Sequence, residues 1–183
     1  MTHSPLTEPA SMTTPPLSDP NSMTTTAPSA LTRPNATGAP LSDERIAAVH
    51  ESFTRQGLMG TLGAQLSALS RGEATIHVPL SDRVTQQHGF FHGGVIGAIA
   101  DTACGYAALS IVPDGKAGLT AEYKINLMSP ADGELLVAVG RVLKPGRTLI
   151  VCQAEVFVEK AGARKLCAVA LMTLCVVDTL SAI

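Results

Sequence analysis

The chain has 183 residues, 45% of them hydrophobic but only 3% aromatic, with a formal net charge of −2 and a pI near 6.2. That length suits one domain with an aliphatic core. The nearly balanced charge, with no block of Lys or Arg, excludes a general electrostatic attraction to nucleic acid or to an anionic membrane.

Residues 1–41 are rich in Ser, Thr, Pro and Ala, repeat Ser-Met-Thr-Thr at 11–14 and 22–25, and show no hydrophobic period. They predict a disordered tail ahead of a domain over residues 42–183. The tail has no charged head followed by an apolar run and few arginines, so neither a secretory signal nor a transit peptide is expected. Four cysteines, Cys104, Cys152, Cys167 and Cys175, fall in apolar runs without metal-ligand spacing. They read as reduced core thiols of a cytoplasmic protein.

Ser42, followed by Asp43, Glu44 and Glu51, caps a helix expected from Asp43 to about Arg55, with Gly57 and Gly60 ending it. Leu62–Leu69 and Ala74–Leu80, on either side of Arg71-Gly72, predict a hairpin. A polar loop from Ser81 to Phe91 leads into a long apolar helix, Gly93–Ile111, closed by Pro113-Asp114-Gly115. After Gly118 the period becomes two: Thr120, Glu122, Lys124 and Asn126 alternate with Leu119, Ala121, Tyr123, Ile125 and Leu127. Strands follow at 134–143, 148–159 and 164–177, separated by Pro- and Gly-bearing turns. The expected fold class is α+β, an antiparallel sheet of five or six strands covering one long helix.

That helix carries the most telling residue. Asp101 sits among Ile, Ala, Cys and Gly, where an ionised carboxylate needs a partner, a pocket or water. It also breaks the longest apolar stretch, Val95–Val112, so no membrane span is read there. Amides at the Gly93-Gly94 helix start suit a developing oxyanion, and a carboxylate suits attack or water activation. Yet eight residues separate Gly93 from Asp101, about 12 Å along a helix, so the two cannot reach one reacting centre within a single chain. Two antiparallel copies of the helix across a two-fold axis would bring them together. On a helical projection Gly94, Gly97, Ala98, Cys104, Gly105 and Ala108 share the side of Asp101, opposite Val95, Ile96, Ile99, Ala103 and Tyr106. This lane of small residues serves either a narrow substrate arm or close packing.

His88 and His92 stand four apart but precede the helix, and nothing completes a metal shell, so no metal is expected. The glycines at 89, 93, 94 and 97 do not form a dinucleotide loop, and no nucleophile-elbow motif occurs, so neither a cofactor nor a serine nucleophile is expected.

Gln86-Gln87-His88-Gly89-Phe90-Phe91-His92-Gly93-Gly94, then Asp101-Thr102-Ala103, Thr120-Ala121-Glu122-Tyr123 and Leu127-Met128-Ser129-Pro130 together resemble the PaaI-like branch of the hotdog-fold acyl-CoA thioesterases. The resemblance spans about residues 42–177. It implies a hotdog fold, assembly as a homodimer or homotetramer with sites between chains, and an acyl-CoA substrate. It also implies that Asp101 is the nucleophile or general base and that the Gly93 amide polarises the thioester carbonyl. His92 would shape that loop and contact the thioester region, and Thr120 would assist the carboxylate or its water. Gln86 stands where many members carry an Asn that orients water or carbonyl, and its longer amide can make the same hydrogen bonds. Gly94 would border the substrate, and Lys144 and Arg147 would hold the coenzyme A phosphates, with solvated turn charges as the alternative. Phe90, Phe91, Tyr106 and Met128 are candidates for an acyl pocket, with core roles as the alternative. Two other readings are a hotdog protein that binds acyl-CoA without hydrolysing it, and a hydratase or dehydratase using His92 as base.

Overall fold

The computed structural model describes residues 39–179, so the expected tail lies outside them apart from residues 39–41. Helix α1 (Asp43–Thr54) starts where its capping side chain directs: Ser42 Oγ accepts the Arg45 amide at 3.2 Å, with Asp43 and Glu44 in the first turn. This helix ends at Thr54, within a residue of the expected Arg55, but Gly57 and Gly60 do not break helical structure as expected. Both lie inside a second helix, α2 (Gly57–Leu62), which ends at Gly63 in the left-handed conformation, φ 65°. Met59 and Leu62, three apart, bury one side of this turn, so Leu62 belongs to a helix and the first strand starts later.

The strands are β1 (Gln65–Ser70), β2 (Glu73–Pro79), β3 (Lys116–Leu127), β4 (Leu135–Lys144), β5 (Leu149–Lys160) and β6 (Ala163–Asp178). They form one antiparallel sheet in the order β1-β2-β4-β5-β6-β3. Between β2 and β3 runs the long helix α3 (Gly93–Leu109), which packs against β2, β3, β4, β5 and β6. This is the expected α+β class, with six strands. Helix α3 ends two residues before the expected Ile111 because buried Ser110 intervenes: its hydroxyl donates to Ala107 O and accepts the Gly72 amide, both at 2.7 Å. Among the described residues no helix is long and apolar enough to cross a membrane.

The centre of the sheet is deliberately shallow. Ala74, Gly140, Ala154 and Ala170 stand side by side across β2, β4, β5 and β6. Helix α3 sinks into this trough until its backbone meets the strand: a Cβ built on Gly140 would stand 2.4 Å from the Ala103 carbonyl carbon. Longer side chains on the flanking rows, Ile76, Val156 and Met172, rise beside the helix and are fully buried.

Helix α1 holds the other end of α3. Arg45 Nη2 donates to the carbonyls of Leu109 at 2.6 Å and Val112 at 2.9 Å, while Nη1 pairs with Asp114 at 2.8 Å. One guanidinium thereby satisfies carbonyls that a helix C-terminus otherwise leaves bare. Phe53 meets Tyr106 edge-on at 5.4 Å, and the Tyr106 hydroxyl accepts from Gln56 Nε2 at 3.0 Å.

The trough predicts that Gly140→Ala, although only one methyl larger, lowers unfolding free energy by about 3 kcal/mol because strand or helix must shift. Urea unfolding of the two proteins measures this, and a change below about 0.5 kcal/mol would contradict the close approach.

Candidate functional site

Helix α3 is buried nearly all round, as its composition requires, and opens along a single stripe. Ala98, Asp101, Thr102, Gly105 and Leu109 are half-exposed at helical spacing, with Gly94 exposed near the start. The expected lane of small residues therefore divides. Gly94, Ala98 and Gly105 lie on the open stripe, whereas Gly97, Cys104 and Ala108 are buried. The cause is β3, which runs alongside that second flank. A Cβ on Gly118 would meet Ala108 at 3.6 Å, and one on Gly97 would meet the Tyr123 hydroxyl at 3.5 Å. Asp101 sits on the border, with β3 on one hand and open space on the other.

Simple alternation along β3 assigned Thr120 to the outward face with Glu122, Lys124 and Asn126. The structure corrects this. Thr120 pairs with Leu174 but Glu122 with Thr173, so Ala121 is an extra residue, a β-bulge that reverses the parity. Thr120 thus shares the inward face with Tyr123, Ile125 and Leu127, which stand opposite buried Met172, Ala170 and Ala168. From there Thr120 Oγ1 donates to Asp101 Oδ1 at 2.7 Å. The bulge brings together two of the expected site residues.

At the helix start His92 is the N-cap. Its Nδ1 accepts the Gly94 amide at 2.9 Å, and its carbonyl takes the amides of Val95 at 2.9 Å and Ile96 at 3.2 Å. Among the described residues the Gly93 amide has no acceptor, which leaves it as the unspent donor of the first turn. A side chain at 93 would press on Leu127 Cδ1 at 3.0 Å, and one at 94 on the His92 ring at 3.0 Å, so both glycines make room. The preceding loop is pinned by the His92 amide on Val84 O at 2.9 Å and the Phe91 amide on Ala131 O at 3.1 Å. Half-buried Gln86 spends its Oε1 within that loop, on the His88 amide.

Cys104, one turn beyond Asp101, is fully buried. Its hydrogen bond with Cys152 raises its pKa well above the usual thiol range, burial adds to this, and the nearby Asp101 charge acts in the same direction. It stays a neutral thiol and offers no nucleophile. Cys152 and Cys167 are likewise buried and Cys175 half-buried, all four unpaired, and burial pushes Cys167 up to about 11.

Lys144 and Arg147 are both exposed on the turn from β4 to β5, away from Asp101. Arg147 borders a cleft of about 320 Å³ whose floor includes Ile111, Val112 and Ile150. Lys144 does not line it, but Lys116 does. Sequence reasoning missed Lys116, which pairs with Asp178 at 2.5 Å. The cleft opens past the end of α3, roughly 12 to 15 Å beyond Asp101 along the axis. Of the acyl-pocket candidates, Phe91 and Tyr106 are core residues, while Phe90 is half-buried and Met128 exposed. Tyr123 was also missed, because its place over Gly97 is a tertiary contact between strand and helix.

A sequence profile of the Thioesterase superfamily matches residues 88–164. A protein of Saccharolobus solfataricus named "Putative esterase" is 32% identical over 114 residues, 62% of this chain and 81% of that protein. A 1,4-dihydroxy-2-naphthoyl-CoA hydrolase of Listeria monocytogenes is 27% identical over 101 residues, 55% of this chain and 81% of the hydrolase. Among solved structures, a thioesterase family protein from Silicibacter pomeroyi superposes with a TM-score of 0.71 at 39% identity, covering 73% of this chain and 98% of that one.

The cap geometry predicts that His92→Ala costs about 1 kcal/mol of stability, and that His92→Asn recovers most of it because a short amide caps as well. Chemical denaturation of the three proteins checks the order; an alanine variant as stable as the parent would remove His92 from the cap.

Proposed function

The chain belongs to the thioesterase superfamily and has its hotdog fold, and on that premise we propose that it hydrolyses an acyl-CoA to the free acid and coenzyme A in sites shared by two protomers. One observation carries the reading. The Thr120-held carboxylate and the unspent Gly93 amide lie on one helix, eight residues and about 12 Å apart, too far to meet at a single carbon. Pairing α3 with a second copy along the open stripe sets Asp101 of one protomer against the partner's Gly93, and an isologous interface does so twice.

In this site Thr120 occupies Oδ1 of Asp101 and leaves Oδ2 for the reaction. The carboxylate attacks the thioester carbon, or takes a proton from the water that does so. The partner's Gly93 amide donates to the carbonyl oxygen as it becomes an oxyanion. When the C–S bond breaks, coenzyme A leaves as a thiolate and is protonated, while water supplies the hydroxyl of the acid. An oxyanion donor contributes about 3 to 4 kcal/mol, and a positioned base about 10²- to 10⁴-fold. The helix dipole, near 1 kcal/mol, is a minor addition. His92 aims the Gly93 amide, Gln86 braces the loop, and exposed Gly94 borders the substrate. Arg147, with Lys144 on the same turn, is the proposed anchor for the nucleotide phosphates, at a distance an extended pantetheine arm spans. The assembly is a homodimer or a pair of them. Four unpaired thiols suit a cytoplasmic setting.

With a thiol reagent and a panel of acyl-CoAs, Asp101→Asn is expected to lower kcat about a thousandfold while fold and dimer persist. Near-wild-type turnover in that variant would refute the assignment, and tight binding without thiol release would favour a non-catalytic binder. A mixed dimer tests the shared site: Asp101→Asn in one protomer and Gly93→Pro in the other, since proline at the first helical position removes the amide and asks only the tip of the Leu127 side chain to shift. It should regain about half the activity, one intact site of the two. No recovery would mean that the groups do not come from different chains.

A further inference from the structure

A two-fold axis that superposes Gly93 of one protomer on Asp101 of the other must cross α3 at their midpoint, Gly97. Above Gly97 stands Tyr123, on the inward face that the bulge at Ala121 lets it share with Thr120, with its hydroxyl 3.5 Å from where a Cβ at 97 would be. We propose that Tyr123 sets the length of acyl group the protein accepts, the rings of the two protomers closing both acyl pockets at the axis. The inference rests on the shared thioesterase site above and goes beyond it by naming the residue that measures the substrate.

The two ends of a bound thioester are unlike, and so are the two directions along α3 from Asp101. Toward the C-terminal end lies the cleft bordered by Arg147 and Lys116, cationic and open, which suits the phosphates of coenzyme A. The acyl group must then run the other way, toward Gly97, one helical turn or about 6 Å distant. Beyond the axis the second site begins, holding its own substrate. The acyl space therefore spans roughly four or five carbon–carbon bonds before it meets the Tyr123 ring.

The ring is placed to act as that stop. It stands opposite Met172 on the inward face, yet 47% of Tyr123 remains exposed in the single chain, and among the described residues its hydroxyl has no hydrogen-bond partner. Its neighbours on the strand face the other two stations of the site: Thr120 touches Asp101, and Leu127 lies against Gly93. Tyr123 lies between them with its hydroxyl over the midpoint, and Gly97, lacking a side chain, leaves the hydroxyl its place.

The test is a profile of kcat/KM for the full chain over saturated acyl-CoAs from butanoyl to dodecanoyl, with Tyr123→Ala, Tyr123→Trp and Tyr123→Phe. The parent is expected to process dodecanoyl-CoA at least about tenfold less efficiently than hexanoyl-CoA. Tyr123→Ala should raise that dodecanoyl-to-hexanoyl ratio about tenfold, Tyr123→Trp should move the limit toward butanoyl, and Tyr123→Phe should keep the parental limit. A parent that prefers dodecanoyl-CoA, Ala and Trp profiles that superpose on the parent's, or a Phe profile displaced as far as the Ala profile would each overturn the proposal while leaving the thioesterase reading intact. Failure of the parent to release coenzyme A from any member would overturn both.

Discussion

Everything in this molecule follows from how closely α3 lies on the sheet. At Gly140 no side chain separates the strand from the helix backbone, and the neighbouring alanines keep the floor low on both sides. A helix seated so deeply is enclosed by the flanking rows and exposes only a narrow strip. Burial of this kind is strongly favourable for Ile96 and Ile99 and prohibitive for an isolated charge. The carboxylate of Asp101 is tolerated because it emerges at the border of the strip, where the Thr120 hydroxyl meets it on one side and open space lies on the other.

The border itself is made by a local irregularity in a strand. Without the extra residue at Ala121, Thr120 would face outward with Glu122, and the carboxylate would lack its hydroxyl. With it, β3 delivers Thr120, Tyr123 and Leu127 in sequence along the helix, opposite Asp101, Gly97 and Gly93. A bulge is a common device for re-aiming one side chain. Here it sets a hydroxyl on the same face as Tyr123 and Leu127.

Much of this was legible in the sequence, and the illegible part has a common cause. The long helix, its double-glycine start, the intrusive carboxylate and the strand runs rest on local periodicity and turn chemistry, which a single sequence displays. The separation of Gly93 from Asp101, on which the proposal of a shared site rests, also follows from helix rise. Three features did not show: α2, whose single apolar turn is too short to carry a period; the bulge, which leaves no mark in an alternating run; and the partition of the small-residue lane. The last two are tertiary choices, settled by which strand lies against which flank. Lys116 went unnoticed for the same reason, since its neighbours Ile111 and Arg147 are distant in the chain.

Arg45 links these local matters to the behaviour of the whole. By satisfying the carbonyls of Leu109 and Val112, one guanidinium makes the first helix part of the scaffold of the third. The two are then a single cooperative unit for local opening: a fluctuation that detaches α1 also uncaps the helix that carries the carboxylate. Mobility at the N-terminal edge of the domain is in this way transmitted to the stripe that bears Asp101, and the thermal robustness of that stripe is set in part by residues at the far end of the helix.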